Sequence, residues 1–321
     1  LKPRSSWQPT ATLAALRSRA TLLTRVREFF AQRAVTEVET PILSGAGVSD
    51  PQLHSLITRL AGSSGPRYLQ TSPEYAMKRL LAAGSGDIYQ VCKVFRDEEH
   101  GRWHNPEFTM IEWYRLGFDD VALMSEVEAL LAHLLGGFRE SAVAERLTYA
   151  AALQRHAEVD AFDSSEAELT QAAVSHGIRC DSQLDRDGKL DLLMGLVVGP
   201  RLGLERPCFV CDYPVSQAAL ARLKGGAVAA RFELYLDGLE LANGFHELTH
   251  AAQQRARFEA DLRTRRARGQ VEPPLDENLL AALEHGLPDC AGVALGFDRL
   301  VAIALGKTRL SEAMSFVIEN S

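Results

Sequence analysis

Residues 95–114 read Phe95-Arg-Asp-Glu-Glu-His100-Gly-Arg-Trp-His-Asn105-Pro-Glu-Phe-Thr-Met110-Ile-Glu-Trp-Tyr114. An apolar run precedes this stretch: Ile88, Tyr89, Val91, Val94 and Phe95. Its own second half alternates, with Phe108, Met110, Ile111 and Trp113. Both runs predict strands. The polar segment between them, with Gly101 and Pro106, is too short for a crossover helix. An antiparallel hairpin with a long charged tip follows. Arg96, Glu98, Arg102 and His104 then crowd one end of a sheet, either as a solvated tip or as a site for a polyanion.

The rest of the composition narrows the classes. The chain has 321 residues, 46% hydrophobic and 24% charged, ordinary for a globular protein. No run of about 18 apolar residues offers a membrane span, and the first ten residues lack an apolar signal core. Five cysteines argue against a disulfide framework and for the cytoplasm. Cys208 and Cys211 have CxxC spacing but sit in an apolar run with no second pair, so buried strand residues are the better reading than zinc ligands. A net charge of −7 weighs against broad nucleic-acid binding.

Along the chain, Leu13, Leu16, Leu22, Leu23, Val26, Phe29 and Phe30 recur at helical spacing within 11–34, before a strand at 36–40 that ends at Pro41. Residues 43–66 read as an irregular loop. Ser72-Pro73-Glu74 opens a helix, with Ser72 as its N-cap. Helices are expected at 119–139, 149–156, 166–176, 188–198, 253–270 and 276–285. The Arg-rich 253–270 segment reads as an amphipathic surface helix. Residues 228–236 form a strand that turns at Asp237-Gly238 into a return strand, Leu239 to Glu247. On that strand Glu240 and Glu247 are seven apart, about 23 Å along a straight strand and on opposite faces. Both can serve one ligand only if the chain bends, and Asn243-Gly244 is the expected bend. Finally, Ala291 to Leu300 reads as a small-residue strand running into a helix.

Three of these stretches, in this order, resemble motifs of the class II aminoacyl-tRNA synthetases. Phe95 to Tyr114 resembles motif 2 of the lysyl branch, the helix and strand of 11–41 resemble motif 1, and Ala291 to Leu300 resembles motif 3. Glu240 to Leu248 resembles the lysyl-type Glu-x-x-Asn-Gly-x-x-Glu-Leu, and Thr71 to Glu74 the amino-acid loop. The resemblance implies an α+β fold: a class II aminoacyl-tRNA synthetase catalytic core in one domain over 1–321, its antiparallel sheet flanked by helices, with a helical insertion at about 140–205. It implies ATP and Mg²⁺ as cofactors and a homodimer through motif 1. Arg96 would take the α-phosphate, as a guanidinium pairs bidentately with phosphate. Glu98 would face the adenine amino group, Phe108 stack on the ring, and Arg299 meet adenine and the γ-phosphate. Asp97, His104, Asn105, Leu241 and Gly296 fall at further ATP-contact positions. Glu240 and Glu247 would hold Mg²⁺. Ser72, Pro73, Glu74, Tyr114, Asn243, Glu247 and Ala294 would line the amino-acid pocket.

Two departures from the lysyl-tRNA synthetases stand out. Motif 1 begins by about residue 13, which leaves no room for the anticodon-binding OB domain. Ala294 also stands where those enzymes have Gly, a one-carbon change worth roughly 1–3 kcal/mol in selectivity. Both departures resemble the lysyl-tRNA-synthetase-like ligases that activate (R)-β-lysine and pass it to a lysine of elongation factor P. Trp7 to Pro9, Thr71 to Glu74, His104 to Tyr114 and Gly292 to Leu300 carry that likeness, while Asp97 departs from an expected Asn. A truncated synthetase charging tRNA with α-lysine, an amino-acid–ammonia ligase and a non-catalytic ligand-binding regulator stay open at this point.

Overall fold

The computed structural model describes residues 7–62, 65–139, 142–181, 184–225 and 227–321. The chain divides into two compact units, 1–117 with 129–140 and 249–321, and 118–128 with 141–248.

The first unit opens with helix α1 (Leu13–Ala31), whose N-cap Thr12 accepts from the Ala15 N–H. Its apolar stripe is buried at Leu22, Val26, Phe29 and Phe30. Phe30 stacks on Tyr89 at 4.3 Å and meets Trp113 edge-on at 5.4 Å, so α1 packs across the hairpin that follows. Strand β1 (Thr36–Glu37) is shorter than the expected 36–40 and pairs parallel with the hairpin. Where irregular loop was expected, β2 (Leu43–Ser44), β3 (Ile57–Thr58) and β4 (Arg67–Leu69) form a small antiparallel sheet. Helix α2 (Glu74–Ala82) then leads into β5 (Ile88–Phe95) and β6 (Glu107–Leu116). These two pair without a break from Ile88–Tyr114 to Phe95–Glu107, which is the expected hairpin.

Helix α3 (Asp120–Leu135) begins in the second unit. That unit holds β7 (Glu145–Thr148), α4 (Tyr149–Ala157), α5 (Glu166–Ser175) and α6 (Arg186–Leu193). It continues with β8 (Cys208–Pro214), β9 (Leu223–Lys224), β10 (Val228–Leu236) and β11 (Leu239–His246). Helices α4 and α5 lie close to their expected spans, with starts marked by Thr148 and the Ser165–Glu168 capping box, whereas α6, capped by Asp185, starts two residues early and gives way at Met194–Val198 to a π-helical turn. Leu153, Leu169, Leu190 and Leu193 from these helices bury against Val210 of β8. Cys208 is buried and Cys211 half-buried in that strand. Burial, their first cause of shift, pushes both thiols up to about 11.

The chain returns to the first unit with α7 (Ala251–Ala267), α8 (Glu277–Gly286), β12 (Cys290–Gly296) and α9 (Phe297–Ala304). Strand β12 pairs antiparallel with β6, from Cys290–Leu116 to Gly296–Met110. Most strand pairs are antiparallel as expected, but β1–β5 and β7–β8 are parallel. Helix α7 is not simply a surface helix. Arg265 is buried and donates to the carbonyls of Ser49, Asp50, Leu53 and Val271, which ties the 49–53 loop down.

Candidate functional site

The hairpin tip in the first unit gathers the expected ATP residues. Arg96 leaves the end of β5, its backbone N–H bonded to the Pro106 carbonyl. Its guanidinium lies 5.1 Å from the Phe108 ring centroid and 3.9 Å from Glu99. Arg299 sits in the first turn of α9. It donates from Nε to the Trp103 carbonyl at 3.2 Å and faces His104 Nε2 at 2.7 Å. A guanidinium has only donors, so Nε2 accepts and the ring is neutral with its proton on Nδ1. Burial, then Arg299, lowers the His104 pKa, with Arg96 adding and Glu99 opposing. Glu99 Oε2 lies 3.4 Å from the same Nε2, which in the neutral ring has no proton to donate to it. Arg96 beside Glu99 and Arg299 against His104 thus set two guanidinium groups at one loop, where they can meet a polyphosphate.

Asp97 and Glu98 are exposed at the tip. Glu98 has φ +64°, a left-handed backbone uncommon for a non-glycine residue. Asp97 Oδ1 accepts the Glu98 N–H at 2.9 Å, so its carboxylate serves the turn itself, as an Asn oxygen would. Asn105 is buried and donates to the Glu107 carbonyl at 2.5 Å, while its oxygen accepts the Ile318 N–H. It therefore braces the tip within the fold.

A second cluster lies under β12, at the start of α2. The helix begins one residue later than expected, with Pro73 as N-cap. Ser72 instead accepts the Glu74 N–H at 3.0 Å and donates to Glu112 Oε2 at 2.7 Å. Tyr114 donates to the other Glu112 oxygen at 2.8 Å. Glu74 takes a 2.7 Å bond from Lys78, whose side chain is 1% exposed. Ala294 stands directly across the ladder from Glu112, and Gly292 from Tyr114. Two carboxyls, a phenol and a hydroxyl around a small residue suit an organic ammonium.

The second unit carries the remaining residues on β10 and β11. Their turn at Asp237 and Gly238 has φ +52° and +74°, the backbone of a type I′ hairpin. The ladder is regular through Asn243 and Gly244, so the expected bend does not fall there. Leu234 pairs with Ala242 and Tyr235 with Glu240, so Leu241 is an extra residue, a bulge. Glu233 lies opposite Asn243, and one bulge residue brings Glu240 to the Asn243 face. Beyond Gly244 the ladder continues to Phe245, and Glu247 forms a bridge with Ala221. Glu247 is 0% exposed, and its backbone carbonyl accepts from Arg222 at 3.0 Å.

The family described as class II tRNA synthetases (D, K and N) matches residues 7–320. The chain belongs to this class II synthetase family. Its relatives include proteins named elongation factor P–(R)-β-lysine ligase. The one from Edwardsiella ictaluri is 50% identical over 99% of both chains. Those from Salmonella arizonae and Salmonella paratyphi A are 48% and 49% identical, with the same coverage. The fold is accordingly a class II synthetase catalytic domain, with a large sheet flanked by helices.

The class II synthetase reading fits the donor chemistry of β11. Glu240 and Glu247 are hard oxygen donors, and among the described residues no group of three or more His, Cys, Asp or Glu forms a metal cage. Two carboxylates suit Mg²⁺, which takes its other ligands from water and phosphate. Sequence reasoning passed over Glu99, Lys78 and Glu112. The first two look like ordinary polar residues of a loop and a helix. Glu112 was in view as a charged residue inside an apolar strand, the one available signal.

Glu112 has a pH signature. Burial, then the charge of Glu74, pushes its carboxyl up to about 8, against the pull of Ser72, Tyr114 and Lys78. The folded state therefore holds a proton that the unfolded chain releases near 4.5. That contribution to stability is complete below pH 4.5 and is lost as pH rises towards 8. Glu112→Gln keeps the shape and cannot ionise. Melting curves between pH 5 and 8.5 should show a flatter decline in Tm for the variant; parallel curves would contradict the buried, protonated carboxyl.

Proposed function

We propose that this chain activates (R)-β-lysine with ATP and transfers the β-lysyl group to the ε-amino group of a lysine on elongation factor P. The observation that carries the reading is near-half identity over 99% of the chain to relatives named for that reaction. In the first step a carboxylate oxygen of the amino acid bonds to the α-phosphorus, and the bond to pyrophosphate breaks. In the second, the protein lysine amine attacks the adenylate carbonyl; an amide forms, AMP leaves and the amine gives up its proton.

Arg96 meets the α-phosphate and Arg299 the pyrophosphate end, where fixed positive charge favours the transition state. Neutral His104 keeps the Arg299 guanidinium aimed without competing for its charge. Glu74, Glu112 and Tyr114 take up the substrate's amines in the first unit, and Ala294 limits the space opposite Glu112. Glu240 and Glu247 are the residues that would hold Mg²⁺, which would neutralise phosphate charge when bound. The protein works as a cytoplasmic homodimer; Leu13 of α1 is 66% exposed and available to a second copy. No helix among the described residues is long and apolar enough to cross a membrane.

ATP–pyrophosphate exchange with (R)-β-lysine and α-lysine tests the first step, and transfer of labelled β-lysine to elongation factor P the second. Preference for the β isomer is expected, with Ala294→Gly shifting it towards α-lysine by about 10-fold or more. Preference for α-lysine together with charging of tRNA would overturn the reading.

A further inference from the structure

We infer that Arg231 is a positioning residue that turns the Asn243 amide so that its NH₂ group donates to an anionic oxygen of the bound ligand. The inference deepens the proposed function, since it rests on Asn243 lying at the amino-acid end of the site.

Hydrogen-bond polarity fixes the orientation of the amide. Arg231 Nε donates to Asn243 Oδ1 at 3.3 Å. A guanidinium has five N–H donors and no acceptor. The amide atom facing it must therefore be the oxygen, because the other orientation would set donor against donor. With Oδ1 engaged, Asn243 has two N–H bonds left to offer. Neither an ammonium nor a metal ion can use them. An oxygen with negative charge can, and the substrate offers two kinds: its carboxylate and the phosphates of ATP.

The rest of Arg231 is fixed in a way that makes it a rigid support. Nη1 donates to the Gln217 carbonyl at 2.8 Å, and Nη2 pairs with Glu233 Oε1 at 2.5 Å. The other Glu233 oxygen accepts from the Tyr235 hydroxyl at 2.6 Å. The guanidinium carbon lies 4.3 Å from the Tyr213 ring centroid, and the side chain is 16% exposed. Each of the three guanidinium nitrogens thus has its own partner: a backbone carbonyl, a carboxylate and the amide. Burial opposes the charge, but Glu233 first, then Tyr213, Glu240 and Asp191, outweigh it and keep the group protonated. Glu233 stands directly across the ladder from Asn243, which brings the ion pair and the amide to one face of the hairpin. Replacing such a pair by apolar residues is often neutral for stability, so stability alone does not call for it here. Lys in place of Arg would keep the charge but could not span carbonyl, carboxylate and amide in one plane.

The test is a double-mutant cycle on the full chain in the exchange assay, with Asn243→Ala, Arg231→Lys and their combination. Each single variant should raise one KM roughly 10- to 100-fold, the loss of a hydrogen bond to a charged group. A rise in the amino-acid KM with that of ATP unchanged assigns the acceptor as the carboxylate; a rise in the ATP KM alone assigns it as phosphate. Both support the inference, provided Arg231→Lys adds less than about 2-fold in the Asn243→Ala background. For the carboxylate case, a diamine lacking the carboxylate should inhibit the wild type and both variants equally well. Additive losses in the cycle would overturn the inference. So would unchanged KM values with only a lower Tm, and so would a diamine weakened as much as the amino acid. Failure of the proposed function is distinguishable, because the wild type itself would then prefer α-lysine or show no exchange.

Discussion

Arg96→Ala and Arg299→Ala are each expected to cut ATP–pyrophosphate exchange by on the order of 10²–10³, with Tm almost unchanged. Both side chains sit at the hairpin tip, and neither supports the core. Arg96 lies over Phe108 and beside Glu99, and Arg299 against His104 and the Trp103 carbonyl. Removing either leaves a polyphosphate without one of its fixed charges. Arg→Lys at either position should recover only part of the rate, since an ammonium keeps the charge but not the planar fork. Because both guanidinium groups act on one polyphosphate, the double variant should lose less than the product of the single losses. Single variants that retain wild-type exchange would remove Arg96 and Arg299 from the reaction.

The largest effect on stability is expected at Asp298, beside Arg299. Its buried carboxylate pairs with Arg19 of α1 through Oδ1 and accepts the Thr109 N–H through Oδ2 at 2.7 Å. Arg19 also donates to Thr109 Oγ1 at 2.8 Å and lies 4.8 Å from the Phe297 ring centroid. This cluster pins α1, β6 and α9 together. Asp298→Ala strands a mostly buried guanidinium and a backbone N–H, at a cost of about 3–5 kcal/mol. Urea titrations of Asp298→Ala, Arg19→Met and the double variant measure it. The double variant should be more stable than Asp298→Ala alone, because it removes the stranded charge. An Asp298→Ala midpoint equal to that of the wild type would show that the cluster does not hold the unit together.

The parts of this protein that could be read from sequence are those set by local pattern. The β5–β6 hairpin follows from alternation, and α5 from a capping box that needs only Ser165 and Glu168. The three motif stretches also place most candidate residues on the right elements. What could not be read depends on contacts far apart in the chain. Arg265 looks like one charge in an Arg-rich surface helix, yet three carbonyls of the distant 49–53 loop, with that of Val271, draw it inside. Glu112 belongs to a legible strand, but its protonation is set by burial and by Glu74 from another helix. The Arg299–His104 contact depends on the path of a loop, which no periodicity specifies. The bend expected at Asn243-Gly244 does not occur there. Glycine marks where a chain can bend, whereas the bulge falls at Leu241, where the β10 partner register shifts.

That extra residue makes the β11 strand unusual in its tolerance to changes of length. A hairpin turn or a surface loop accepts an added or deleted residue with little effect on what lies either side. Between Glu240 and Asn243, one residue more or fewer would turn one of the two to the opposite face while leaving every functional side chain present. The spacing of these two residues is therefore under the same constraint as their identity. Insertions and deletions should be excluded from this stretch even where substitutions are accepted.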